Sequence, residues 1–338
     1  MDLDAVDYLP SQIIAELYNI CPDGVAENVA LCVLSRWKVG GVAKCIVSPR
    51  SATQIASIIK LMTSRNLPYI VLGSTSNLLF DDEGLDVLAI QIGQKFSSVQ
   101  VDNTIVTCQS GTWVPGFAKT LMHHSLTGVE HIAGIPGTIG GLICMNGGSQ
   151  RKGIGEHINY VDTITSTGDT KRYSKEECKF SYRTSTFQDS DDIIVGAQFT
   201  LAQGKRTAIR QEMLGILSSR RKKFPQKHPN CGSVFVSNPA MYEDYGPPGA
   251  VIEQCNLKGV SRGGACISPL HANFIVNNHN ASAADILYLI YLARETVRQK
   301  TGYEMPAEAR YISANGAIIP AHIKAEQLWD SEVQLGKV

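Results

Sequence analysis

Residues 134–148, GIPGTIGGLICMNGG, constrain this chain more than any other stretch. Six glycines fall within these fifteen residues, together with Pro136, Thr138 and Asn146. Glycine lacks a Cβ, so such a backbone can approach a ligand closely or take φ > 0, and Pro136 restricts the residue before it. Ile135, Ile139, Leu142 and Ile143 make the run too apolar for a solvated linker. It reads either as a buried loop whose N–H groups hold a phosphate-bearing cofactor or as a tight turn between packed strands. No G-x-x-x-x-G-K-[ST] and no G-x-G-x-x-G occurs anywhere, so neither a P-loop nor a Rossmann dinucleotide fold is supported.

The 338 residues suffice for two or three domains with a sizeable core. Apolar residues make up 43% and charged residues 18%, the balance of an ordinary globular chain. Lys+Arg and Asp+Glu are 31 each, which removes the electrostatic case for nucleic acid or an acidic membrane as partner. The nine cysteines form no C-x-x-C pair and no zinc-like spacing with histidine, so no metal is expected and the thiols read as small buried residues in a reducing compartment. The start, MDLDAVDYLP, has no signal-peptide character, and no apolar run approaches the roughly 20 residues of a spanning helix. A cytoplasmic location is the expectation.

Along the chain, residues 1–34 read as a helical lead-in. A strand at 45–47 is followed by a capping box, Ser51 to Gln54, and a helix with Ile55, Ile58, Ile59 and Met62 on one face. A short buried strand at 69–72 runs into Gly73-Ser74-Thr75-Ser76-Asn77, either a second anion-binding turn or a plain one. Strands at 87–92 and 105–108, a helix at 113–124, and strands at 161–164, 171–173 and 193–200 follow, an α+β layout. Arg183 lies between aromatics in FSYRTSTF (180–187). It is suited either to bidentate anion binding or to surface cation–π packing. A helix at 207–217 ends in Arg220-Arg221-Lys222-Lys223, read as a solvated end that complements the dipole. Ser233 in CGSVF lacks a nucleophile-elbow context. The segments 271–277 and 304–312 read as strands, with a long helix from Ser282 between them.

These motifs, in this order and spacing, resemble the UDP-N-acetylenolpyruvoylglucosamine reductase family over residues 39–312. The carriers are VGGVA (39–43), LGSTSNL (72–78), GVE (128–130), GIPGTIGG (134–141), YRTS (182–185), GSVF (232–235), LKG (257–259), HANF (271–274) and EAR (308–310). The resemblance implies an α+β fold with a vanillyl-alcohol-oxidase-type FAD-binding domain and a smaller α+β substrate-binding domain. Expected boundaries are 1–34 lead-in, 35–205 FAD-binding domain in two subdomains, 206–315 substrate-binding domain and 316–338 tail. It implies that the FAD pyrophosphate lies on Gly73, Ser74, Thr75, Ser76 and Asn77 and on Gly134, Ile135, Pro136, Gly137, Thr138, Gly140 and Gly141, with Asn146 beside them. Arg183, Ser233 and Glu308 match the family's catalytic residues, and Lys258, His271 and Asn273, together with Arg183 and Ser233, its substrate contacts. The short interval from Tyr182 to Gly232 resembles the subgroup without an extra tyrosine loop.

The implied reaction is NADPH-driven reduction of the enolpyruvyl group of UDP-N-acetylglucosamine enolpyruvate, in a monomer or weak homo-oligomer, for peptidoglycan precursor synthesis. Arginine suits the negative charge that develops on the carboxylate. A serine is a sensible acid only toward a strongly basic carbanion shielded from water. Two alternatives stay open on sequence: a flavin-dependent paralogue with another enolpyruvyl or nucleotide-sugar substrate, and a nucleotide-binding protein without redox activity.

Overall fold

In the computed structural model, which describes residues 9–334, Ser51 Oγ accepts the Gln54 N–H at 3.1 Å and Gln54 Oε1 accepts the Arg50 N–H at 2.7 Å. These bonds satisfy orphan donors at the start of the helix Ala52–Ser64. Its apolar stripe Ile55, Ile58, Ile59 and Met62 is fully buried. It packs in one core with Cys45, Val47, Leu88 and Ile90. Ile46 and Val47 of the strand Val42–Val47 pair in parallel with Ala89 and Ile90 of Leu88–Gln91. That strand pairs in parallel with Tyr69–Leu72. The crossover helix explains the parallel pairing.

The chain divides into two interleaved units. The first holds residues up to Glu27, Cys45–Ser74 and Val87–Arg220; the second holds Asn28–Lys44, Thr75–Asp86 and the chain from Arg221 on. Besides the parallel layer, the first unit has a five-stranded antiparallel sheet in the order Thr170–Ser174, Ile158–Ile164, Ile193–Thr200, Ile105–Gln109, Val99–Asp102. The helix Val114–His123 covers it, with Phe117 and Phe199 ring centroids 5.3 Å apart. Ile139, Leu142 and Ile143 of the glycine-rich stretch enter the same core. They lie on the short helix Ile139–Cys144.

In the second unit, Leu78–Phe80 pairs in parallel with Arg310–Ile312, which pairs antiparallel with Ile318–Pro320. A second antiparallel sheet joins Ser261–Arg262, Ala265–Ile267 and Ile275–Asn277. The buried Trp37 donates from Nε1 to Ile275 O at 2.7 Å, and Asn277 Nδ2 donates back to Trp37 O at 2.9 Å. The helix Ala283–Thr301 starts with a Ser282–Asp285 capping box, and the Asp82 carboxylate accepts the Ala283 N–H. An anion there also complements the helix dipole.

Five readings of the sequence change. The lead-in contains the helix Ser11–Ile20 and then a strand, Val25–Ala30, because Pro22 and Gly24 break the helix; residues 1–8 lie outside the described residues. The unit boundary falls at 220/221, not near 205, because the helix Arg206–Lys223 buries Ile209 and Met213 in the first unit's core. The expected strand at 304–312 is only Arg310–Ile312, since Pro306 lacks a ladder donor, and that at 271–277 is only Ile275–Asn277, since a turn closed by Phe274 N and His271 O precedes it. The tail holds the strand Ile318–Pro320 and the helix Ala321–Gln334. Ala321 and Ala325, one turn apart, are fully buried in the second unit's core. Alanines bury a face without a visible apolar stripe.

Candidate functional site

Gly73, which opens the first glycine loop, meets the second glycine loop inside the first unit. A Cβ on Gly73 would stand 2.6 Å from Thr138 Oγ1, closer than real atoms come. Thr138 is the N-cap of the helix Ile139–Cys144, and its hydroxyl accepts the Gly141 N–H at 3.4 Å. Gly140 N donates to Ser110 O at 2.8 Å, and a Cβ on Gly140 would lie 2.9 Å from Ser110 Cβ. Gly137 has φ +155° and Asn146 φ 38°, so the loop uses backbone conformations that glycine and asparagine tolerate. Ser110, 1% exposed, keeps a buried hydroxyl with no hydrogen-bond partner among the described residues. A methyl group at Gly73 or Gly140 would strike Thr138 or Ser110, so these glycines let the segments pack together, and the buried orphan hydroxyl of Ser110 fits a bound polar group. Ile135, Ile139, Gly140 and Gly141 spend their N–H groups on Ile132 O, Thr112 O, Ser110 O and Thr138 Oγ1, so the fit to the phosphates of FAD rests on the loop's neutral side chains and the orphan hydroxyl.

Arg183 belongs to the same construction. Ser181 and Thr184 exchange both backbone hydrogen bonds at 3.1 Å, leaving Tyr182 and Arg183 as a two-residue turn. Arg183 holds φ 57°, a left-handed conformation that costs energy in a non-glycine residue and recurs at functional sites. Asn146 Nδ2 donates to Ser181 O at 2.7 Å, Ser185 Oγ to Cys144 O at 2.6 Å, and Gln188 Nε2 to Arg183 O at 2.8 Å. The arginine turn is therefore bolted to the end of the glycine loop. Its guanidinium is half-buried, with the Tyr182 ring centroid 5.9 Å away.

Arg220 was read from sequence as part of a solvated helix end, and that reading is corrected. Its stem packs on the glycine loop: Cδ and Nε lie 2.5 and 2.7 Å from where a Gly134 Cβ would be. Burial, and then the charge of Arg183, lower its pKa. Two guanidiniums that repel one another beside a glycine loop make a site for an anion. The available signal was spacing. The turns of Arg206–Lys223 that bury Ile209, Met213 and Ile216 continue to position 220 by steps of three and four.

The second unit assembles the other predicted residues. Phe235 bridges Ala307, Val236 N donates to Pro306 O at 3.0 Å, and Glu308 N to Val234 O at 2.7 Å. The segments carrying Ser233 and Glu308 thus run side by side, and both side chains are half-buried. Gly232, at φ +80°, makes the bend before the serine, and its N–H is held by Asn230 Oδ1 at 2.9 Å. Asn77 Nδ2 donates to Glu308 O at 2.9 Å, and Arg310 N to Asn77 O at 3.0 Å. Thr75, at φ 53°, donates from its hydroxyl to Leu34 O at 2.8 Å. Cys231 donates to the carbonyls of Thr75 and Leu78 at 3.6 and 3.5 Å, and burial pushes its thiol up to about 12. This thiol is a structural donor, not a nucleophile.

The other three expected substrate contacts separate. The buried Asn273 carboxamide is committed to Phe235, accepting its N–H at 2.9 Å and donating to its carbonyl at 3.0 Å. It braces the serine segment. His271 accepts the Asn273 N–H on Nδ1 at 3.2 Å within a cluster with Phe224 and Phe274, and burial lowers its pKa. Lys258 is ion-paired with Glu253 at 2.7 Å. Among the described residues no group of His, Cys, Asp and Glu could hold a metal ion.

Comparison with known proteins agrees with both units. A family model described as FAD binding domain matches residues 43–174, and one described as UDP-N-acetylenolpyruvoylglucosamine reductase, C-terminal domain, matches 224–312. UDP-N-acetylenolpyruvoylglucosamine reductase 1 of Corynebacterium glutamicum is 41% identical over 304 residues, 90% of this chain and 91% of its own. The reductase of Heliobacterium modesticaldum is 36% identical over 280 residues, 83% of this chain and 88% of its own. The crystal structure of UDP-N-acetylenolpyruvylglucosamine reductase from Thermus caldophilus superposes with a TM-score of 0.71 at 26% identity, covering 84% of this chain and 97% of that one. The expected α+β fold with an FAD-binding domain is the fold found. Motif, fold and overall identity point the same way, and the chain belongs to the UDP-N-acetylenolpyruvoylglucosamine reductase family.

Proposed function

We propose that this chain reduces the enolpyruvyl group of UDP-N-acetylglucosamine enolpyruvate to give UDP-N-acetylmuramate, a step of peptidoglycan precursor synthesis. The loops 73–77 and 134–141, with Asn146, would hold FAD, which would supply the hydride taken from NADPH. Hydride addition at the terminal enolpyruvyl carbon leaves the electron pair on the neighbouring carbon and its carboxylate. Arg183 holds that carboxylate with a fixed bidentate fork and stabilises the charge as it grows. Ser233 gives its hydroxyl proton to the carbon next to the carboxylate, and Glu308, carrying its proton, shares it with the enolate oxygen and so stabilises the enolate. Arg220 supports an anionic group at the glycine loop. Lys258, His271 and Asn273 serve the nucleotide sugar. No helix among the described residues is long and apolar enough to cross a membrane. We place the reaction in the cytoplasm, in a monomer or weak homo-oligomer.

The observation that carries these roles is the backbone pairing of the serine and glutamate segments through Glu308 N and Val234 O at 2.7 Å. It puts a weak acid and a carboxyl group on adjoining segments, as proton delivery to carbon requires. Anaerobic stopped-flow on Ser233→Ala tests it. Flavin reduction by NADPH should proceed at the normal rate while reoxidation by the enolpyruvyl substrate slows by about a hundredfold or more. Equal loss in both half-reactions, or none in either, would remove the proton-donor role.

A further inference from the structure

We propose that His322, outside the residues matched to the family's C-terminal domain, is a positioning residue for Glu308. This rests on the reading of Glu308 as catalytic. Ala307 N, immediately before Glu308, donates to His322 Nδ1 at 3.1 Å. Ala321 N donates to Ala309 O, immediately after Glu308, at 2.9 Å. The first two residues of the helix Ala321–Gln334 therefore grip the backbone on both sides of the glutamate. Two further bonds, Glu308 N to Val234 O at 2.7 Å and Asn77 Nδ2 to Glu308 O at 2.9 Å, hold the residue itself. Of these four ties, only the one to His322 ends on a titratable acceptor.

Nδ1 accepts a hydrogen bond only when the imidazole is neutral and its proton sits on Nε2. The surroundings maintain that state. Burial, and then the Arg294 charge on the helix Ala283–Thr301, lower the His322 pKa, and Glu326, on the same helix as His322, opposes them. Arg294 is itself tied to Glu326 and, at 2.7 Å, to Glu304. Lys324, the nearest cation on the same helix, lies over the Tyr311 ring, 5.2 Å from its centroid. Protonation of His322 turns Nδ1 into a second donor facing the Ala307 N–H and adds a cation near Arg294. The grip on the residue before Glu308 is then lost. Because the folded pKa is lowered below the ordinary 6.5, this loss belongs to pH below that value.

The test compares wild type, His322→Asn, His322→Leu and Glu308→Gln, each as the FAD-loaded full chain, in both flavin half-reactions between about pH 5.5 and 8.5. Asparagine offers an acceptor near the Nδ1 position without a titrating ring; leucine offers none. The proposal expects His322→Leu to slow reoxidation by the enolpyruvyl substrate about tenfold or more, as for a lost acceptor that leaves a buried N–H unmet. Reduction by NADPH should be untouched. His322→Asn should recover most of the rate and flatten the acid limb of the reoxidation profile. In a Glu308→Gln background, His322→Leu should cost no more than about twofold, since the two act as one unit. Reoxidation within about twofold of wild type in His322→Leu would overturn the proposal, as would equal impairment of the Asn and Leu variants. An unchanged acid limb in His322→Asn would also overturn it, and that holds even if the leucine variant fails to fold. A fully active Glu308→Gln would instead refute the role of Glu308, and the positioning role with it.

Discussion

Alanine at Gly73 tests the junction of the two glycine loops. The new Cβ would sit 2.6 Å from Thr138 Oγ1 and 3.7 Å from both Thr138 Cβ and Cγ2. Only the hydroxyl is in the way. Gly73 does not use a left-handed φ, so alanine itself is tolerated by the backbone and restricts the unfolded chain, a gain of about 0.4–1 kcal/mol. Against that stand overpacking, about 1–3 kcal/mol, and displacement of the hydroxyl that caps the helix Ile139–Cys144, about 1 kcal/mol. Gly73→Ala should therefore cost about 2 kcal/mol net. Thr138→Ala should cost about 1 kcal/mol for the lost cap. In the double variant the clash is gone while the gain from the stiffer unfolded chain remains, so its cost should fall to about 0–0.6 kcal/mol and the two effects should fail to add by about 2.5 kcal/mol. Urea denaturation of the flavin-free proteins measures the cycle, and flavin absorbance titration should show weaker FAD binding in Gly73→Ala with partial recovery in the double variant. Additivity within about 0.5 kcal/mol would refute the contact between the loops.

Other expectations follow from single side chains. Arg220→Met keeps the stem against Gly134 and removes the cation beside Arg183; affinity for an anionic ligand should fall about tenfold to a hundredfold in FAD titration or substrate KM, and an unchanged value for both would contradict the anion-site reading. Arg183→Lys should lose most reoxidation of reduced flavin, because a point charge does not replace the fork; near-normal turnover would sink the role of Arg183. His131 is 2% exposed, neither ring nitrogen has a hydrogen-bond partner among the described residues, and burial, followed by Lys152, lowers its pKa. The unfolded chain therefore takes up a proton at His131 that the folded chain resists, and stability falls as pH drops below about 6.5. His131→Phe should remove that contribution, so its advantage over wild type widens below pH 6.5 by up to about 1.4 kcal/mol per pH unit; parallel stability curves would contradict it.

Local pattern carried much of this structure into the sequence. The strands Tyr69–Leu72 and Ile193–Thr200 have the limits that apolar runs and flanking polar residues indicate. The Ser51 and Ser282 caps fall where their side chains can reach N–H groups three residues on. Interleaving was not legible, because nothing local marks 28–44 and 75–86 as parts of the second unit. Trp37 shows why: the residue that anchors the first of these segments bonds to Ile275, 238 positions away. The C-terminal helix was missed because its buried face is made of Ala321 and Ala325. Arg220 looked like one of four exposed cations until helix phase turned it onto Gly134. Asn273 was visible as a polar residue at a motif, but only the fold shows its amide spent on Phe235.

The most direct measurement is anaerobic stopped-flow at the flavin absorbance band. The wild-type protein loaded with FAD is reduced by NADPH and then mixed with UDP-N-acetylglucosamine enolpyruvate. The account predicts rapid reoxidation with UDP-N-acetylmuramate as product. Rapid reduction followed by no reoxidation would leave the FAD-binding fold in place and contradict the substrate.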